Sequence, residues 1–334
     1  MNRSGTFIPG KTKIAYGGVD FTAADRAAIN RVLDRNWWGI DNETVEFERE
    51  LARYNKVKHA LFVNSGSSAL LLAFAVLQLP AGSEVIVPAV TFPTPISALI
   101  YLNLVPVVVD VDKSFNIDPE QIEKTITHLT RALLVVHTAG NPADMERIMH
   151  TAKKYKLFVV EDNCDGFGGK FNQNMLGSFG HISAISTHAA HMISTGEGGV
   201  VFTNDTKLAR RANALRNWGR LNDLSGKNNG KYVELPKDYS RRYTYNQLGF
   251  NFKPLELQAA LGKSQLQRIE KYKLKRLQNY TKLHKIFSRF GEFFDLPTCL
   301  KKSDPCWYTF PFLVKNHSRE KFTDFLDSKK IEWR

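Results

Sequence analysis

Between Ser186 and Asp205 the chain reads STHAAHMISTGEGGVVFTND, with His188 and His191 three residues apart and no lysine in the run. The nearest lysines are Lys170 and Lys207. An unperturbed imidazole has a pKa of about 6.5, against about 10.4 for a lysine amine, so it can take and return a proton near neutral pH without a large shift. Three other short stretches carry groups of chemical interest. In VNSGSSAL, residues Asn64, Ser65, Gly66, Ser67 and Ser68 stand between an apolar run and a helical pattern. Free N–H groups at a helix start, beside hydroxyls, suit a phosphate, although Ser and Gly are equally ordinary capping residues. In FVVEDNCDGFGG, Asp162 either caps the next turn or offers a carboxylate to a cationic ring nitrogen. In PAVTFP, Phe92 is either core or a flat face for a ring. Together these stretches offer a phosphate cradle, an aromatic face and a carboxylate for a heterocycle.

Such groups need strands to hold them. Short runs rich in Val, Leu and Ile predict strands over 59–64, 83–88, 105–110, 131–137 and 157–162. They alternate with helical patterns over 43–54, 66–79, 93–103, 118–126 and 141–155, after a first helix over 21–35 opened by a Thr22–Asp25 capping box. Continuous apolar strands alternating with helices predict an α/β fold with a mostly parallel, doubly wound sheet. Ligands of such sheets sit beyond the carboxyl ends of the strands, where the chemically distinctive stretches fall. A long helical pattern follows over 255–290, and WYTFPFLV (307–314) reads as a strand. The expected division is a large α/β domain over 1–254 and a connecting helix with a small C-terminal α+β domain over 255–334. The chain stops in KKIEWR, at the start of an expected further element, so the small domain is expected to be truncated.

Composition narrows the function classes. The chain has 334 residues, 43% hydrophobic and 24% charged, which is ordinary for a globular protein. Its formal charge of +13 is spread along the sequence, and no nucleic-acid-binding motif accompanies it. A solvated basic surface is the plain reading, and a preference for an anionic small substrate is the functional one. Three cysteines (Cys164, Cys299 and Cys306) without CxxC spacing argue against a disulfide framework or a zinc site, and no metal is expected. The N-terminus lacks a signal-peptide pattern and the most apolar stretch is too short to span a bilayer, so a cytoplasmic protein is expected.

The motifs NSGSSAL, EDNCDGFGG, TGEGGVVFTND and YNQLGFNFKPLELQAALG together resemble the fold-type-I pyridoxal-phosphate enzymes, and within them the DegT/StrS-type sugar aminotransferases. The resemblance runs over nearly the whole chain and implies the PLP-dependent transferase fold type I. In that family the residue six positions before the Glu of GEGG is the lysine that tethers the cofactor. Here Glu197 puts His191 in that place. The family's phosphate-binding serine matches Ser186, its phosphate loop Gly66 and Ser67, its stacking aromatic Phe92 and its ring-nitrogen carboxylate Asp162. Asn251, ahead of the ELQAA helix, matches the residue that reaches the cofactor phosphate of the other subunit, which implies a homodimer with shared sites. His188 falls where members carry an aromatic or a histidine and is not expected to be the base.

Without the lysine, the resemblance implies a cofactor held by contacts alone and resting as pyridoxamine 5'-phosphate. The exchange within AHMISTGEGG resembles the nucleotide-diphospho-4-keto-6-deoxyhexose 3-dehydratases of 3,6-dideoxysugar and lipopolysaccharide O-antigen synthesis. It implies that His191 removes a proton from the cofactor's methylene, that Asp162 keeps the ring nitrogen protonated, and that the sugar loses its hydroxyl at carbon 3. One branch of that group acts on a CDP-linked sugar and carries a [2Fe–2S] cluster. Its first cysteine lies in EDNCD, matched by Cys164, and the others closely follow a WGRD stretch. From Trp218 this chain reads WGRLNDLSGKNNGKYV, with no cysteine, and a lone thiol cannot hold a cluster that needs about four ligands. Cys164 then reads as a small buried residue. The other branch acts on a GDP-linked sugar and renews the amine from glutamate. The missing cysteines favour glutamate, whereas EDNCD, TFPT and YTYNQLGFN look closer to the cluster branch, so the nucleotide stays open. Two other readings stay open: an aminotransferase using another lysine or none, and an inactive dimeric relative that only binds its ligand.

Overall fold

The computed structural model describes residues 7–220 and 243–334. Two helices open the chain, α1 (Ala23–Asp34) and α2 (Asn42–Tyr54). At the start of α1 the Thr22 hydroxyl accepts from the Asp25 N–H while the Asp25 carboxylate accepts from the Thr22 N–H, which is the expected capping box. Strands and helices then alternate: β1 (His59–Val63), α3 (Gly66–Ala75), β2 (Glu84–Pro88), α4 (Pro93–Tyr101), β3 (Val105–Val109), α5 (Pro119–Thr125), β4 (Thr130–Val136), α6 (Met145–Tyr155) and β5 (Phe158–Asp162). A two-stranded hairpin, β6 (Lys170–Phe171) and β7 (Asn174–Met175), leads to β8 (Ile182–Ser186), β9 (Gly199–Thr203) and α7 (Thr206–Arg216).

Seven strands form one sheet in the order β1-β9-β8-β5-β4-β2-β3. β9 runs antiparallel to β1 and β8, and the other neighbours are parallel. Alternate residues feed opposite faces. In β1, Leu61 and Val63 join the cluster built on α3, whereas Ala60 and Phe62 join Phe47 and Leu51 of α2. A third cluster packs Ile122 of α5 and Met145 and Ile148 of α6 against β4 and β5. Each side chain of this kind, taken fully out of water, stabilises the fold by about 1.5–3 kcal/mol. β3 is the sheet edge, which is why Pro106 is tolerated in it and why Val105 and Val108 stay exposed.

The last part of the chain departs from the sequence expectation in two places. The helical pattern over 255–290 is two helices, α8 (Glu256–Leu266) and α9 (Ile269–Phe287). Between them the Arg268 guanidinium reaches the buried Asp25 carboxylate at 2.9 and 2.7 Å. WYTFPFLV is not a continuous strand. β10 (Phe294–Asp295) pairs with β12 (Leu313–Val314), and β11 (Ser303–Asp304) pairs with β6, ahead of α10 (Arg319–Ser328). The residues before β12 are taken by other partners. Trp307 stacks on Tyr280, and the N–H groups of Cys306 and Tyr308 donate to the carbonyls of Gly140 and Ala139. Gly140, at φ +85°, is required there: a Cβ would stand 2.1 Å from the Cys306 carbonyl oxygen.

α8 also completes α2. The residue before α2, Asp41, makes no side-chain cap. The buried Glu256 supplies one instead, accepting from the N–H groups of Asp41, Glu43 and Thr44 and from the Thr44 hydroxyl. Glu256→Ala leaves those donors buried and unpaired. A loss of at least about 3 kcal/mol is expected, read as a lower urea midpoint at unchanged slope.

Candidate active site

The expected site residues other than Asn251 gather at the carboxyl ends of the strands. β1, β2, β5 and β8 end there at Val63, Pro88, Asp162 and Ser186, and the antiparallel β9 starts there at Gly199, paired with both Val63 and Ser186. α3 begins against these ends. Ser65 caps it, its hydroxyl accepting from the Ser68 N–H at 3.0 Å. Gly66 lies directly on β8: a Cβ would stand 2.6 Å from the Ser186 Cβ. The Ser67 hydroxyl lies 3.4 Å from that of Thr94, in the first turn of α4. Phe92 is the residue before α4 and is 71% exposed.

Asp162 ends β5 and is almost fully buried. Its Oδ1 accepts from the Cys164 N–H at 3.1 Å, and burial pushes its carboxyl above the usual range, with His137 acting the other way. The half-buried Cys164 thiol is pushed well up as well, by burial and then by Asp162, so it is protonated and inert at neutral pH.

His191 follows β8 in the turn that leads back to β9. Its N–H bonds the His188 carbonyl, and Arg276 of α9 donates to the Ala190 and His191 carbonyls at 3.1 and 3.2 Å. The imidazole stacks on Tyr308, with centroids 4.9 Å apart and planes 21° from parallel. Burial, then the His188 and Arg276 charges, pushes its pKa down to about 4, so the ring is neutral at physiological pH and its nitrogen lone pair is free. His188 is different: its side chain is half exposed and lies 3.9 Å from Glu197 Oε1.

Asn251 is placed apart from these groups. Its neighbours tie it to the sheet, with the Asn64 N–H donating to the Phe252 carbonyl, but its own side chain is exposed. Beside it, Lys253 Nζ lies over the Trp218 ring with no hydrogen-bond partner. The cysteine-free stretch after Trp218 falls largely on 221–242, outside the described residues. Among the described residues, no three His, Cys, Asp or Glu side chains come together as a metal site, and no helix is long and apolar enough to cross a membrane.

Sequence reasoning passed over three groups that the fold brings to His191: Asp165, Tyr308 and Arg276. Asp165 was visible in EDNCD, while the other two come from distant segments with no local signal.

These residues fit a phosphorylated pyridine ring. Buried polar atoms without a hydrogen-bond partner collect just past the strand ends: Asn64 Oδ1 after β1, Thr91 Oγ1 after β2, Thr138 Oγ1 after β4 and His191 Nδ1 after β8. The start of α3 and Ser186 offer N–H and hydroxyl donors to a phosphate, and Asp162 offers a carboxylate to a ring N–H.

Comparison with known proteins gives this arrangement relatives. The chain is 38% identical to the lipopolysaccharide biosynthesis protein RfbH of Salmonella typhimurium, over 97% of this chain and 79% of that one. It is 36% identical to a dTDP-4-dehydro-2,6-dideoxy-D-glucose 3-dehydratase of Saccharopolyspora spinosa, over 98% of this chain and 75% of that one. It is also 34% identical to a GDP-perosamine synthase of Caulobacter vibrioides, over 74% of this chain and 63% of that one. The structure of an E. coli GDP-4-keto-6-deoxy-D-mannose 3-dehydratase with bound hydrated PLP superposes with a TM-score of 0.90 at 29% identity, covering 97% of this chain and 85% of that one. The family description of the DegT/DnrJ/EryC1/StrS aminotransferases matches residues 20–334. The fold is that of the PLP-dependent aminotransferases, and the chain belongs to the DegT/DnrJ/EryC1/StrS family.

Proposed function

We propose that this protein removes the hydroxyl at carbon 3 of a nucleotide-linked 4-keto-6-deoxyhexose, using pyridoxamine 5'-phosphate, in the synthesis of a surface polysaccharide sugar. The observation that carries the reading is a neutral, partly buried imidazole, His191, in the turn after β8 where the family resemblance places a tethering lysine. The relatives bear on it from both sides, since a perosamine synthase stands among them with the 3-dehydratases.

When bound, the cofactor supplies an electron-accepting ring and an amine that can join a ketone. The chain's own residues then divide the work. Gly66, Ser67 and Ser186 hold the phosphate, Gly66 by letting the α3 backbone approach without a side chain in the way. Phe92 covers a ring face. Asp162 holds the proton on the ring nitrogen, because a cation beside it offsets the cost of burying its charge. His191 takes the methylene proton and can pass it to the departing hydroxyl as water. Since burial holds its pKa near 4, it is ready to accept that proton across the physiological pH range. The +13 charge draws in a nucleotide diphosphate. The protein would work in the cytoplasm as a homodimer, with the exposed Asn251 reaching the site of the second subunit. Glutamate would renew the amine.

The direct test is incubation with pyridoxamine 5'-phosphate and CDP- or GDP-4-keto-6-deoxyhexose, with and without glutamate, with products identified by mass. A sugar lacking the carbon-3 oxygen is expected, and an amino sugar as the sole product would overturn the reading. Two variants sharpen it. His191→Asn is expected to slow product formation by about a hundredfold or more, since it removes the base but keeps the size. His191→Lys is expected to capture the cofactor covalently, so that borohydride fixes it on residue 191, and to move the chemistry toward amination. Gly66→Ala is expected to weaken retention of the phosphorylated cofactor at least tenfold, measured by equilibrium dialysis, with the fold intact by circular dichroism.

A further inference from the structure

The buried His191 Nδ1 has no hydrogen-bond partner, and the nearest carboxylate is that of Asp165, whose Oδ1 lies 3.9 Å away. That distance is longer than the roughly 2.7–3.2 Å of a hydrogen bond, so the pair stands at ion-pair range, with the Cys164 carbonyl as the competing acceptor for the ring N–H. We infer that Asp165 is a positioning residue, whose carboxylate takes the Nδ1 hydrogen of His191 and thereby makes Nε2 the basic atom. The inference rests on the reading of His191 as the base.

The geometry is built rather than incidental, because one backbone unit fixes both neighbours of the imidazole. The Ala139 N–H donates to Asp165 Oδ2 at 3.2 Å, and the Ala139 carbonyl accepts from the Tyr308 N–H at 2.8 Å. To do so Ala139 adopts φ 55°, in the left-handed region, a conformation that costs a non-glycine residue about 1–3 kcal/mol. The Tyr308 hydroxyl is fixed in turn by Tyr16 at 2.5 Å. Tyr308 therefore sets the plane of the imidazole, and Asp165 addresses the edge that carries Nδ1.

The charges around the pair are Asp162, His188 and Arg276, with the Cys164 carbonyl and thiol and the Tyr308 hydroxyl also close. Burial and Asp162 raise the Asp165 carboxyl to about 7, so it is ionised only above that pH. When Nε2 gains a proton the ring becomes a cation, and an ionised Asp165 beside Nδ1 stabilises it. A buried base whose pKa stands near 4 needs such a partner to hold the proton between its removal and its return. Below about pH 7 Asp165 is neutral and this help is lost, so the acid limb of the rate profile belongs to Asp165 rather than His191.

The test does not depend on turnover. Long-range ¹⁵N NMR of the full chain labelled in histidine, with the His191 signal assigned by its loss in His191→Asn, reads tautomer and titration directly. In the wild-type chain at pH 8 the proton is expected on Nδ1. In Asp165→Asn, which keeps the size and removes the charge, the change in the His191 ¹⁵N signals near pH 7, where Asp165 ionises, is expected to be lost, while titration of the ring itself near pH 4, where Asp165 is already neutral, is expected to stay. Asp165→Glu is expected to restore most of the change near pH 7. Persistence of the change near pH 7 in Asp165→Asn, its absence from the wild-type chain, or an Nε2–H ring in the wild-type chain at pH 8 would overturn the inference even if the protein dehydrates its sugar. Loss of the change near pH 7 in Asp165→Asn with no deoxygenated product would leave the inference standing and defeat the proposed reaction instead. Where turnover is seen, the acid limb near pH 7 is expected to vanish in Asp165→Asn, and its persistence would count against the role.

Discussion

The site depends on one close approach that no side chain makes. The α3 backbone at Gly66 lies on Ser186 at the end of β8, with no room between them for a methyl group. Two strands set up this contact. β9 runs antiparallel between β1 and β8, so its first residue, Gly199, pairs with the last residues of both. The loop into α3 is therefore pulled over the end of β8. A larger residue at 66 would lift α3 and part its N-terminal N–H groups from the Ser186 hydroxyl, and the turn carrying His191 begins two residues beyond that serine. The start of α3 and the turn carrying His191 are positioned together because both lie against the end of β8.

Much of this was legible in the sequence, and what was not has a physical reason. β1, β2, β4 and β5 are runs of Val, Leu and Ile buried on both faces, and their ends were visible as shifts to Ser, Asp, Asn and Gly. β8 reads Ile-Ser-Ala-Ile-Ser, too polar to announce itself. It is a buried strand because β5 and β9 pair with it, a tertiary effect that local composition does not carry. α7, rich in arginine, was passed over for the same reason, although Asp205 caps it. The break between α8 and α9 has no Pro or Gly to mark it. The residue at the break, Arg268, is held by Asp25, far away in the chain.

The site itself divides in the same way. Gly66, Ser67, Phe92, Asp162, Ser186 and His191 lie in or beside strand ends, so short motifs reveal them. The groups that orient the imidazole do not. Tyr308 reaches His191 only because the segment after Cys306 runs along Ala139 and Gly140, and Arg276 arrives from the far end of α9's first turns. A residue pattern read along the chain sees what a strand presents and misses what a distant segment lays over it.

The electrostatics of the cleft show how these pieces cooperate. Burial drives each ionisable group there toward its uncharged form: Asp162 and Asp165 upward, His191 downward, the Cys164 thiol upward. Asp165 is also raised by Asp162, so the two carboxyls oppose each other's ionisation. A protonated ring nitrogen brought to Asp162 changes this balance, because it stabilises the Asp162 carboxylate and screens its charge from Asp165. Asp165 then ionises more readily, facing His191. On this logic, a cationic ring at one end of the cleft strengthens the base at the other, although the two never touch. The coupling runs through two carboxyls three residues apart on one turn, and under the proposed reaction it would let an imidazole whose proton affinity burial lowers act as the base.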